Sequence, residues 1–177
     1  MDLTAEIIRT DRLLLRPHRP DDVPSIHRAC QDPEIQRWIS AIPVPYTEAA
    51  ARTYVEGTTR ERADGTGMPV VVEADGAVVG SGGVSLRPCR LGPEIGYWIA
   101  PEARGRGYAA EATRGLASWA FAHGAVRVHL FVDVVNGASQ AVARKAGFTQ
   151  EGVVRSCLEY RDGSRADAAL FSQLATD

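Results

Sequence analysis

Read with a period of two, Ile7 to Arg16 places Leu13 and Leu15 on one side and Arg12, Leu14 and Arg16 on the other, which predicts a first strand that Pro17 and Pro20 end. The period then lengthens. Val23, Ile26 and Cys30 form an apolar stripe after Asp21 and Asp22, which predicts a short helix capped by one of those carboxylates and running to about Gln31. A second short segment starts at Pro33 and carries Ile35, Trp38 and Ile39 until Pro43 and Pro45 break it. Thr47 is a good N-cap for an alanine-rich helix to about Arg62, and Ala63 to Met68 reads as a loop. Alternation returns in Pro69 to Ala74 and Ala77 to Leu86, two strands around an Asp75-Gly76 turn, and in Glu94 to Ile99. Ala109, Ala112, Leu116, Trp119 and Ala120 share one face of a helix that Gly124 ends. Val126 to Val135 is the most strand-like run of the chain. Ala138 to Ala146 is a short helix stopped by Gly147, and two closing strands flank Asp162-Gly163.

That order predicts a mixed α/β sheet in one domain spanning 1–177, with the strand at 94–99, the helix at 108–123 and the strand at 126–135 forming a βαβ unit with parallel strands. A nucleotide-like ligand belongs at the ends of those strands. A length of 177 residues is enough to bury a good core.

A net charge of -2 argues against a nucleic-acid partner. Cys30, Cys89 and Cys157 have neither disulfide-framework nor zinc spacing, so no metal is expected. The acidic start, Met1 to Glu6, has no apolar core of a signal peptide and no apolar run is long enough for a bilayer, so the expected location is cytoplasmic, away from membranes.

The chemistry concentrates in Arg104-Gly105-Arg106-Gly107-Tyr108-Ala109, between a strand and a helix. Such a turn aims several N–H groups at one spot, the helix dipole adds partial positive charge, and glycines let a phosphate approach the main chain. The physical reading is a pyrophosphate cradle. Gly105-x-Gly107-x-x-Ala110 matches a dinucleotide fingerprint, but Pro101 to Arg104 intervene after the strand and the acidic residue due some twenty positions on is missing, where Gly124 and Ala125 stand. A Walker A loop is excluded, since no Gly-Lys-Ser/Thr follows.

The alternative frame, Arg-x-x-Gly-x-Ala over Arg104 to Ala109, resembles the coenzyme A pyrophosphate loop of the GNAT superfamily of N-acyltransferases. Asn136-x-x-Ser139 followed by Lys145-x-Gly147-Phe148 resembles a second segment of the same superfamily. With Glu94-Ile-Gly-Tyr-Trp, Pro101 to Ala112 and the opening Thr10 to Pro17, the likeness is closest to the Rim-type subgroup, which includes acetyltransferases of ribosomal-protein N-termini. It implies a mostly antiparallel sheet of about seven strands with one parallel, splayed pair and about four helices. It also implies acetyl-CoA as donor and a primary amine as acceptor, first a protein or peptide N-terminal α-amine and second a small-molecule amine. A coenzyme A-binding module without turnover and a dinucleotide oxidoreductase stand behind these. A homodimer is left open.

Carried onto this chain, the resemblance places the pyrophosphate on the amides of Arg104, Gly105, Arg106, Gly107, Tyr108 and Ala109, with the arginine side chains helping. It implies a bulge at 97–100, pantetheine along Trp98 and Ile99, and the Ile99 N–H as oxyanion donor. Asn136 is a cofactor contact or a turn residue. Ser139 is a helix cap, a pantetheine contact or the acid that protonates the departing thiolate. Many members place a tyrosine acid where this chain has Ala143, so Ser139 becomes first choice. Glu94 is a general base or a solvent-facing strand end. Trp38 and Tyr46 line the acceptor groove or simply pack. His129 is expected to pack, and Lys145 to compensate a helix C-terminus.

Overall fold

The computed structural model describes residues 2–177. Its frame is an eight-stranded sheet in the order β1-β2-β3-β4-β5-β6-β8-β7. The first strands are β1 (Ile8–Arg9) and β2 (Leu14–Arg16), so the single strand expected from Ile7 to Arg16 is a tight hairpin. The turn is local chemistry that periodicity does not see. The Thr10 N–H donates to the Leu13 carbonyl at 3.0 Å, and the Leu13 N–H donates to Thr10 Oγ1 at 3.1 Å.

Three helices follow, α1 (Val23–Ala29), α2 (Pro33–Trp38) and α3 (Glu48–Ala63). Thr47 caps α3 by accepting the Ala50 N–H, as its side-chain chemistry predicts, and Asp32 caps α2 in the same way from Ile35. Asp22 does not cap α1 with its side chain; its carboxylate is held by Arg16.

The antiparallel strands β3 (Gly67–Ala74), β4 (Ala77–Ser85) and β5 (Glu94–Ile99) come next, then α4 (Tyr108–Ala122), β6 (Arg127–Asp133), α5 (Gly137–Lys145), β7 (Thr149–Glu159) and β8 (Arg165–Leu174). β3 begins two residues before Pro69, within the stretch read as loop. The described residues therefore form eight strands and five α-helices, where about seven and about four were expected. Among the described residues only β5 and β6 run parallel, which sets this sheet apart from a doubly wound dinucleotide fold.

The sheet separates two apolar layers. Ala112, Leu116, Trp119 and Ala120 of α4 and Ala143 of α5 are buried with Ile95, Ile99, Val128, Leu130 and Val132. Val23, Ile26, Ile35, Tyr46, Ala51 and Val55 of the α1–α3 region form the second cluster, with Trp98 packed against it. The α4 stripe falls where the period of 3.6 puts it.

The decisive local feature is between β5 and β6. They pair only at Glu94 and His129, where the His129 N–H donates to the Pro93 carbonyl at 3.0 Å. Beyond that point β6 stays paired with β8 from Arg127 to Asp133, while β5 stays paired with β4 through Ile99. The two strands thus diverge toward their C-terminal ends. The bulge expected at 97–100 is not there, since β5 keeps one register against β4; the irregularity lies between β3 and β4, at Val72 and Glu73.

Candidate active site

Antiparallel hydrogen bonds alternate sides along a strand. The Ala100 N–H donates to the Val79 carbonyl, so the N–H and C=O groups of Tyr97 and Ile99 are turned away from β4, into the opening. The Ile99 carbonyl takes a 3.3 Å hydrogen bond there from Arg104 Nε. Trp98 has the opposite parity: its main chain faces β4 and its ring packs toward the helical layer.

Past Ile99 the chain makes a short turn, Pro101–Ala103, and reaches the glycine loop. Gly105 and Gly107 have φ of +77° and +82°, a region that L side chains avoid. Gly107 is also the N-cap of α4 and offers no side chain to its first turn. Among the described residues, the N–H groups of Gly105, Arg106, Gly107, Tyr108, Ala109 and Ala110 donate to no protein acceptor; the next amide, Glu111, bonds the Gly107 carbonyl. A run of free donors at the positive end of a helix, with open space beside Gly105, fits a pyrophosphate.

The side chains around the loop divide differently from expectation. Arg104 is turned onto Asp32, Nη2 to Oδ1 at 2.7 Å, and so ties the loop to α2. The Arg106 side chain is exposed. Tyr108 is buried and its ring carries the Arg12 guanidinium at 5.0 Å. Ala109 is half-buried against the core.

Arg12 and Glu111 form a part of this site that has no assignment from the sequence. Glu111, in the first turn of α4, accepts from Thr10 Oγ1 at 2.6 Å, from the Arg12 N–H at 2.8 Å and from Arg12 Nε at 2.7 Å. Burial works to raise its pKa, and the bonds from Thr10 and Arg12 outweigh that and hold it below the usual glutamate value. Arg12 Nη1 in turn donates to the Arg106 carbonyl at 2.9 Å. The N-terminal hairpin is thereby clamped to the loop, and the carboxylate that would repel an incoming anion is neutralised. Glu111→Gln should remove about 2 kcal/mol of stability, from a buried charged hydrogen-bond set, and weaken coenzyme A binding about tenfold as the loop loosens. Chemical denaturation and calorimetric titration check the two halves.

Asn136 lies just past β6, at the start of α5. Its Oδ1 accepts the Ser139 N–H at 3.0 Å, so it caps α5 and keeps its amide N–H groups for a ligand. With that cap in place the Ser139 hydroxyl is not needed for capping, and it pairs instead with the Tyr97 hydroxyl at 2.9 Å. Ala143 is fully buried in the core beside α4, so its position has no room for a tyrosine facing the opening. Lys145 is exposed in the last turn of α5, and its carbonyl accepts from Arg114 at 2.9 Å.

The opposite face of β5 and β6 carries Glu94, His129 and Asp133. Glu94 is half exposed and its Oε2 is 4.0 Å from His129 Nε2. His129 is buried with neither ring nitrogen hydrogen-bonded among the described residues. Burial lowers its pKa against the pull of Glu94, so the ring is neutral near pH 7. Asp133 accepts the Val135 N–H at 2.8 Å and the Tyr160 hydroxyl. Burial, and then Asp133, push Tyr160 up to about 12 and keep it a donor. Trp38, Asp133, Tyr160, Arg161 and Arg165 line an open groove of about 730 Å³. Arg161 closes one side by donating to the carbonyls of Gln36, at 3.1 Å, and Ile42, at 2.6 Å. Trp38 is therefore at the groove, whereas Tyr46 is buried in the helical core.

The comparisons agree with this geometry. The sequence profile described as the acetyltransferase (GNAT) domain matches residues 12–149. The provisionally named ribosomal N-acetyltransferase YdaF of Bacillus subtilis (strain 168) is 34% identical over 124 residues, 69% of this chain and 67% of its own. RimJ of Mycobacterium smegmatis, solved with CoA-disulfide, is 27% identical with a TM-score of 0.84, covering 97% of this chain and 87% of its own. An acetyl transferase from Salmonella typhimurium, described as modifying the N-terminal serine of ribosomal protein L7/L12, shares the fold at 24% identity and a TM-score of 0.83, over 96% of this chain and 99% of its own. The protein belongs to the GNAT acetyltransferase family, and it is an N-acetyltransferase that draws its acetyl group from acetyl-CoA.

Proposed function

We propose that the acceptor is the α-amine at the N-terminus of a protein or peptide, and that transfer is by direct attack with both substrates bound. The observation that carries this is the lack of a strong base on the acceptor face. Glu94 is half exposed, Asp133 is committed to Tyr160 and the Val135 amide, and His129 is enclosed. Attack requires the free amine. An α-amine with pKa near 7.7 costs about 1 kcal/mol to neutralise at pH 7, whereas a lysine near 10.4 costs about 4.6 kcal/mol. Glu94, through a water, is sufficient for the first and weak for the second. The groove beside Trp38 is open enough to take a chain end, and the names carried by YdaF and RimJ support the same reading.

In this arrangement the free amides from Gly105 to Ala110 hold the pyrophosphate, the exposed edges of Tyr97 and Ile99 hold pantetheine, and the Ile99 N–H faces the developing oxyanion. Acetyl-CoA supplies the activated acyl group. Thiol release should be about 400-fold faster, per kcat/KM at pH 7, for a peptide with a free α-amine than for an Nα-blocked peptide whose only amine is lysine. An aminoglycoside is the third arm. Preference for the blocked peptide or the aminoglycoside would contradict the proposal.

A further inference from the structure

The helix after β6 turns Ala143 into the core and carries no phenol of its own. A phenol nevertheless reaches the same helix from the opposite wall. Tyr97 stands on β5, its main-chain edge faces the opening, and its hydroxyl lies 2.9 Å from Ser139 Oγ in the first turn of α5. Both residues are half-buried, and together they span the divergence between β5 and α5. We propose that Tyr97 and Ser139 form one hydroxyl relay for the departing coenzyme A sulfur, with Ser139 the donor to sulfur and Tyr97 the positioning residue behind it. This rests on acetyl-CoA occupying the β5–β6 opening.

Transfer breaks the thioester C–S bond and leaves its electron pair on sulfur, and the acceptor nitrogen loses one proton as it becomes an amide. The sulfur must gain one. An isolated alkyl hydroxyl is a poor donor, because it has no fixed orientation and a very high pKa. A phenol that donates into Ser139 Oγ fills one lone pair, points the serine hydrogen outward and polarises it. The Ser139 proton passes to sulfur, the Tyr97 proton passes to Ser139, and the proton lost by the amine returns through water to the phenol, so the sum is thiol plus amide. Burial lifts the Tyr97 phenol to about 12, against the softening effect of Ser139, so it is protonated throughout the working range.

The test uses the whole protein and three variants, Tyr97→Phe, Ser139→Ala and the double. Tyr97→Phe should lower kcat about tenfold and leave the KM for acetyl-CoA within about twofold, since a benzene ring keeps the wall but not the hydroxyl. Ser139→Ala should lower kcat at least as far, and the double variant should be no worse than Ser139→Ala alone, because the hydroxyls act in series. A readout independent of turnover is the ionisation of the thiol of bound coenzyme A, followed by thiolate absorbance against desulfo-coenzyme A. Its midpoint should lie below that of free coenzyme A in the wild type and rise about one pH unit in either single variant. Unchanged turnover in Tyr97→Phe, multiplicative losses in the double, or an unmoved thiol midpoint would each overturn the relay while leaving the donor assignment intact. Failure of the wild type to bind coenzyme A would overturn the donor assignment and the relay with it.

Discussion

Gly107→Val weakens coenzyme A binding by about two orders of magnitude and removes only about 1–2 kcal/mol of stability. Two effects separate here. The residue sits at φ +82°, so any side chain pays the left-handed penalty, and a β-branched one adds crowding. Among the described residues the one atom within 4 Å of an added Cβ is Arg12 Nη2 at 3.4 Å, close to ordinary van der Waals contact, so the folded protein has room for the change. The pyrophosphate has no such freedom. It depends on a concave run of free amides, and losing two charge-assisted hydrogen bonds at about 1.5 kcal/mol each is about 3 kcal/mol, or over 100-fold in affinity. Gly124→Val is the matched control. It lies at the other end of α4, at φ +90° with open space around it, and should lose similar stability with no loss of affinity. Calorimetric titration and thermal melting on both variants decide it; equal affinity losses would mean that the loop is only a helix start.

Asp22→Asn lowers stability by about 3 kcal/mol, which for a chain of this size is about 10 °C in Tm. Asp22 is buried and receives Arg16 Nη1 and Nη2 at 2.8 Å each and the Arg19 N–H at 2.7 Å, while Arg16 Nε reaches Glu73 at 2.7 Å. The cluster joins β2, β3 and the start of α1, and so holds the acceptor-side helices to the sheet. Removing one charge leaves the buried guanidinium with Glu73 as its remaining carboxylate partner and its two Nη groups underpaired. Burial pushes the Asp22 pKa up, but the bonds from Arg16 and Arg19 outweigh it and leave the folded value below the ordinary 3.8. Stability from this group is thus fully present above the unfolded value and is lost as pH falls through the depressed folded value. Once the pH has fallen below that depressed folded value the wild type and the variant should therefore converge, and a difference that persists unchanged there would contradict the assignment. Coenzyme A affinity, measured well below Tm, should be unchanged.

Much of the framework was legible because it rests on strong local signals. The α4 stripe, the Thr47 cap, the Asp75-Gly76 turn and the glycine loop each follow from spacing or from one side chain's chemistry. The first hairpin was not legible, because a four-residue turn made by Thr10 leaves the alternation of Ile7 to Arg16 intact. The splay of β5 from β6 came only from the resemblance; it consists of β5 following β4 while β6 follows β8, a long-range pairing that local periodicity does not encode. Site residues divide the same way. Asn136 and Ser139 were marked by motif, but which of them caps α5 depends on rotamers. Tyr97 was visible only as a letter within Glu94-Ile-Gly-Tyr-Trp, since its partner is 42 positions away. Arg12 and Glu111 are 99 positions apart, and an exposed arginine near a turn gives no local hint of a carboxylate across the sheet. Tyr46 reads as a groove residue and is core, because a tyrosine's apolar body suits either place.

The central claim is that the unbonded amides after Arg104 grip the diphosphate while the diverging edges of β5 and β6 receive the thiol arm. A crystal structure with coenzyme A tests it most directly. Diphosphate oxygens should lie about 3 Å from main-chain nitrogens within 105–110, with a pantetheine amide bonded to the main chain of Tyr97 or Ile99. Diphosphate held elsewhere, or β5 and β6 zipped together with the ligand outside them, would contradict it.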